Sequence, residues 1–168
     1  MIPDVSTLPE GQSFTLTRRF HASLTDLWAL WTTAKGIESW WGPPGFAVTV
    51  QGIDLRAGGK LNYTMTAHQP EMVAFMQANG MPVDTVATVT YSEVTPLKRL
   101  AYEHLVDFVP GVAPYSTALA VEFSAHGDHA EICLTFQRMH DAEWSERQRM
   151  GWELELGKLE AVLAGLQA

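Results

Sequence analysis

The chain has 168 residues, of which 46% are hydrophobic and 18% charged, with a formal net charge of −8. That length suits one domain able to bury roughly two thirds of the surface of its unfolded chain. The acidic balance without any basic run argues against a general nucleic-acid binder, and a single cysteine, Cys133, leaves no intrachain disulfide and no cysteine-based metal site.

Residues 1–12 carry Pro3, Pro9 and Gly11 and read as a loose N-terminal arm ahead of one domain over 13–168. They show neither a basic leader nor an apolar stretch, and no apolar run approaches bilayer length, so a cytoplasmic protein without a membrane span is expected. From Ser13 to His21, Phe14, Leu16, Arg18 and Phe20 alternate with Thr15, Thr17 and Arg19, the period of a strand. Ser23, with Asp26 three residues later, resembles a capping box, and Leu24, Leu27, Trp28, Leu30 and Trp31 form the buried side of the helix it opens. That helix ends near Gly36. A short second helix carries Ile37, Trp40 and Trp41 and stops at Gly42-Pro43-Pro44-Gly45.

Phe46–Leu55 and Lys60–Ala67 read as strands joined at Ala57-Gly58-Gly59, the second placing Leu61, Tyr63 and Met65 on one face. The alternation then breaks at an insert over 68–82. There Met72, Phe75 and Met76 recur at helical spacing, between Pro70 near the start and Gly80 just past the end. So short a helix is not stable alone and must pack on something. It leaves the sheet at the rim of any cavity the sheet encloses, and adaptable methionines suit a lid over it. Strands resume at Asp84–Val94 and at Arg99–Phe108, where Leu100, Tyr102, His104 and Val106 share a face. Ser116–Ser124 and Ala130–Met139 form a hairpin across His126-Gly127-Asp128-His129.

The last quarter, Asp141–Ala168, places Trp152, Leu156, Leu159, Leu163 and Leu166 on one narrow helical face, with Asp141 as N-cap. Towards its N-terminus that face turns polar, through Ser145, Gln148 and, off-axis, Arg149. A helix from about Asp141 to Gly165 is roughly 35 Å long at 1.5 Å per residue, and it needs a broad surface to cover. A weaker stripe of Met150, Leu154, Gly157 and Ala161 on its back is a candidate homodimer contact. Strand, two helices, six strands with a helical insert and a long final helix make an α+β domain on an antiparallel sheet.

The strand Ser13–His21, the run Leu27-Trp28-Ala29-Leu30-Trp31-Thr32 and the turn Trp40-Trp41-Gly42-Pro43 together resemble the START-like helix-grip (SRPBCC) superfamily. The nearer likeness is to its branch named after the activator of the heat-shock-protein-90 ATPase. Arg56-Ala57-Gly58-Gly59, Tyr91-Ser92-Glu93-Val94, Arg99-Leu100 and Gly151-Trp152 through Leu159 continue the pattern in order. The resemblance implies a curved antiparallel sheet of about seven strands wrapped around a long C-terminal helix, with a cavity between them. It implies no single activity, because members of the superfamily include lipid and hormone carriers, cyclases and co-chaperone modules.

Trp28 and Trp31 read as core, whereas Trp40 and Trp41, beside the Pro/Gly turn, offer one ring to the cavity. No phosphate loop, nucleophile elbow or paired strand carboxylates occur, and the six histidines carry no metal signature. No cofactor is called for, and catalytic residues are left unassigned. The expected ligand is a small apolar or aromatic molecule, held by Trp41, Tyr63, Met65, Met72, Phe75, Met76, Tyr102, His104, Gln148 and Trp152. Two further readings are a protein-interaction module acting on a chaperone, and a cyclase or dehydratase using His104 with Tyr102.

Overall fold

Seven antiparallel strands form one open sheet in the order β1-β7-β6-β5-β4-β3-β2 in the computed structural model, which describes residues 4–167. The strands are β1 (Ser13–Phe20), β2 (Phe46–Ile53), β3 (Lys60–Ala67), β4 (Asp84–Thr95), β5 (Arg99–Val106), β6 (Tyr115–His126) and β7 (His129–Gln137). From β2 to β7 each strand pairs with the next, as short connections dictate. The exception is β1, which pairs with β7 at the far edge, so the chain must cross the sheet to begin β2. Helices α1 (Leu24–Thr32) and α2 (Ala34–Trp40) make that crossing. Ser23 caps α1 by accepting from the Asp26 N–H at 3.1 Å, and Thr33 caps α2 by accepting from the Gly36 N–H at 3.0 Å.

Alternation places one set of side chains on the concave face. Leu61, Tyr63, Val89, Tyr91, Leu100, Tyr102, Leu119, Val121, Ile132, Leu134 and Phe136 are all buried there in one core with Leu27, Leu30, Trp31, Ile37 and Trp40. Helix α4 (Ala142–Gln167) closes this core with Leu156, Leu159 and Leu163, three of the four leucines of the narrow face. Leu166, on the same periodicity, is exposed. Register shifts between Val50 and Gly52 and between Tyr91 and Glu93 mark breaks in the ladder of the kind at which strands bend.

Asp141 caps α4 as its position predicts, accepting from the Trp144 N–H at 2.8 Å. The polar start of the inner face has a structural use in Ser145, which is buried and accepts from the Met139 N–H at 2.9 Å, tying the helix to the end of β7. Arg149 turns instead to Glu146 and Glu153 on its own helix. On the back, Met150 and Leu154 are more than half exposed, at 53% and 55%.

The N-terminal arm is not loose from Asp4 onward. Val5 opens a single 3-10 turn, Val5–Thr7, and is buried against Ala101, Ala118 and Ala120 on the convex face of the sheet. The three alanines leave a shallow seat that a larger side chain would fill. Asp4 fastens the turn by a pair with Arg99 at 3.0 Å, and Arg99 also holds Glu93 at 2.7 Å.

Candidate ligand-binding site

Between the concave face and the first half of α4 the core opens into a cavity of about 270 Å³. Its floor is Tyr63 and Met65 of β3, Val89 of β4, Tyr102 and His104 of β5, and Thr117 and Leu119 of β6. Trp144, Gln148, Gly151, Trp152 and Glu155 of α4 roof it, and Trp41, Gly42 and Pro43 close one end. Space is left here because α4 presents no side chain at Gly151, where an added Cβ would meet nothing within 4 Å. Phe108, 47% exposed, and Arg147 are the outermost lining side chains and mark the mouth between the β5–β6 loop and the start of α4.

Of the ten residues that the sequence nominates, the structure gathers Trp41, Tyr63, Met65, Tyr102, His104, Gln148 and Trp152 around this space. Met72, Phe75 and Met76 do not reach it, and the insert lines none of it. The insert does form a helix, α3 (Pro70–Ala78), with proline in its first turn. Met72 packs against the bend at Gly45, however, while Met76 is buried and Phe75 is 56% exposed. The His68 N–H bonds to the Gly45 carbonyl at 3.0 Å, which fastens the start of the insert to the α2–β2 bend, away from the mouth at Phe108.

The aromatic wall is continuous. Trp41 meets Tyr63 edge-on with ring centres 5.4 Å apart and lies roughly parallel to Tyr102 at 6.5 Å. Trp152 stacks on Trp31 at 6.1 Å with the planes 13° apart, which joins the roof to the α1 core. Within this wall, Tyr63 Oη and His104 Nε2 face each other at 3.4 Å. His104 therefore pairs with Tyr63, not with Tyr102. Among the described residues, Trp41 Nε1, Tyr102 Oη and Gln148 Oε1 are buried with no hydrogen-bond partner. Such orphans are rare and costly unless something fills the space beside them.

One wall group was not anticipated from the sequence. Glu155 lies on α4 in line with Gln148 and Trp152, at steps of four and three, which is the signal that would have found it. Its Oε1 accepts from the Gly42 N–H at 2.8 Å. Gly42 adopts φ +86°, open to glycine and strained for other residues, and this turn aims its N–H at the carboxylate. Lys158, one turn further on, donates to the carbonyls of Trp41 at 3.4 Å and Gly42 at 2.9 Å. Burial pushes the Glu155 carboxyl up to about 7, with the Gly42 N–H and the Lys158 charge restraining the rise. Burial also drives the Tyr63 and Tyr102 hydroxyls well above their usual range and lowers His104, which keeps its imidazole neutral near pH 7. Phe108, Met139, Trp144 and Arg147 likewise entered the wall unforeseen, since the end of β7, the β5–β6 loop and the first turn of α4 meet only in three dimensions.

An antiparallel sheet gripping a long C-terminal helix around an aromatic cavity defines a START-like helix-grip protein. The chain belongs to the family described as Activator of Hsp90 ATPase homolog 1-like protein, which matches residues 21–164. Among solved structures it is similar to a protein of Chromobacterium violaceum, at 20% identity and a TM-score of 0.73, covering 90% of this chain and 96% of that one. The AHSA1 protein of Silicibacter pomeroyi superposes with a TM-score of 0.72 at 21% identity, covering 93% and 99% of the two chains. A Mycobacterium smegmatis protein gives a TM-score of 0.70 at 20% identity, over 97% of this chain and 95% of that one. At such identities the likeness establishes the fold. No curated protein matches the chain in sequence. Among the described residues no helix is long and apolar enough to cross a membrane.

Proposed function

We propose that the protein binds a small aromatic molecule in the cavity between the sheet and α4. The observation that carries this reading is the wall itself: an aromatic enclosure with three buried polar atoms unpartnered among the described residues. A cavity of about 270 Å³ lies at the small end of ligand pockets, so one or two fused rings fit better than a lipid. The open interior supports this reading over a purely protein-interaction module, which would be expected to have a filled core and to act through its outer surface. The Tyr63–His104 pair supports a second reading, in which the bound molecule is also a substrate for proton transfer. The exposed Met150 and Leu154 support assembly as a homodimer through the back of α4.

The test uses N-phenyl-1-naphthylamine, a neutral dye that brightens in apolar pockets. The native chain is expected to bind it saturably, one per chain, at micromolar concentration. Gly151→Phe, which places a ring in the empty roof position, is expected to abolish binding while the protein stays folded. Equal binding by the variant would show that the dye goes elsewhere and would remove the proposal.

A further inference from the structure

Glu155 is the feature of the cavity that an apolar ligand leaves unexplained. It brings a carboxylate into an aromatic wall, where a lone charge is costly unless a partner meets it. Among the described residues one hydrogen bond reaches it, from the Gly42 N–H at 2.8 Å. The charge of Lys158 is felt at Glu155 without an ion pair between them, because Lys158 directs its ammonium at the carbonyls of Trp41 and Gly42 and does not line the cavity. Arg147 at the mouth is engaged with Glu143 at 3.0 Å and lies over the Trp144 ring. A second acceptor, Gln148 Oε1, is buried without a donor among the described residues two helical turns earlier, roughly 10 Å along the axis.

Trp41, Tyr63, Tyr102 and Trp152 line the same cavity as Glu155, and Trp41 packs on Tyr63 and Tyr102 in one aromatic wall. Aromatic faces attract cations, and a carboxylate among them adds a charge-assisted hydrogen bond that a neutral ligand cannot make. The net charge of −8 adds a field that draws cations and repels anions. On the reading that the cavity holds an aromatic molecule, we propose that its ligands are small aromatic amines, with the ring among the tryptophans and tyrosines and the ammonium on Glu155. A second donor on the ring, directed at Gln148, completes the match at the other end.

Calorimetric titration at pH 8 with three indoles of similar size tests this: tryptamine, the alcohol tryptophol and the acid indole-3-acetate. The native chain is expected to bind tryptamine about tenfold more tightly than tryptophol, the scale of one charge-assisted hydrogen bond, and indole-3-acetate most weakly. In Glu155→Gln, which keeps the shape and the acceptor for Gly42, the preference for tryptamine over tryptophol is expected to disappear. Tryptophol binding as tightly as tryptamine in the native chain would overturn the amine assignment and leave the aromatic cavity standing. A preference for tryptamine that survives Glu155→Gln would overturn the role of Glu155. If no indole binds either protein, the cavity reading fails and the amine assignment falls with it.

Discussion

Replacing Glu155 by glutamine is expected to stabilise the protein at alkaline pH and to leave it unchanged at acid pH. In the fold the carboxyl is displaced from its ordinary 4.5 to about 7. A raised folded-state value means that the native chain holds its proton where the unfolded chain has lost it. The associated stability is complete below about pH 4.5 and is lost as pH rises through about 7. At about 1.4 kcal/mol for each tenfold change in proton affinity, the full displacement amounts to about 3 kcal/mol, an upper figure for a group that water partly reaches. The substituted amide would retain the acceptor for the Gly42 N–H and nearly the same volume, so packing changes little. His104 complicates the raw curves, because burial lowers its proton affinity. A depressed histidine favours the native state increasingly as pH climbs towards its ordinary value near 6.5, the reverse of the Glu155 trend. The quantity to measure is therefore the difference between native and variant stabilities, in urea titrations from pH 5 to pH 8.5, where the His104 contribution cancels. The difference is expected to stay below about 1 kcal/mol at pH 5, where the unfolded carboxyl has begun to ionise, and to reach about 2–3 kcal/mol in favour of the variant at pH 8. Parallel stability curves across that range would refute the placement of a desolvated carboxyl in the wall.

Trp152→Ala removes a ring that stacks on Trp31 but faces the cavity on its other side. Its cost in urea unfolding is expected to be about 2–3 kcal/mol, below the 3–5 typical of a fully packed tryptophan, and dye affinity is expected to change as well. Asp4→Asn breaks the exposed side of the Arg99 pair and is expected to cost up to about 1 kcal/mol at pH 7. The Asp4 carboxyl is held down to about 2, first by its hydrogen bond with Arg99, so its contribution is present above about pH 4 and disappears as pH falls through 2. Thermal melts of the two proteins at pH 7 and pH 2 read both limits. Light scattering at micromolar concentration is expected to return a dimer mass that Leu154→Glu reduces to a monomer, and a monomer mass for the native chain would exclude the contact on the back of α4.

Local pattern carried the architecture. The alternation in Lys60–Ala67 and Arg99–Phe108, the serine cap before α1, the proline opening α3 and the leucine stripe of α4 are each set by neighbours within a few residues. Each appears in the structure where the sequence places it, because strand period, capping and helical spacing are short-range properties of the chain. Seven cavity residues were legible for the same reason: each faces inward by its parity on a strand or its step on the final helix, or, for Trp41, by its place beside the Pro/Gly turn. The crossing of β1 to the far edge, the docking of Val5 on three alanines, and the seating of α3 on Gly45 were not legible. Each depends on which surfaces remain free after the sheet has curved and α4 has closed over it. Glu155 shows the same division. Helical spacing puts it in line with Gln148 and Trp152, but nothing in its flanking Leu154 and Leu156 marks a glutamate there as desolvated. Only the turn at Gly42, more than a hundred residues away in the chain, makes it a half-buried carboxylate in an aromatic wall, because desolvation depends on everything that surrounds a group and not on its neighbours in sequence.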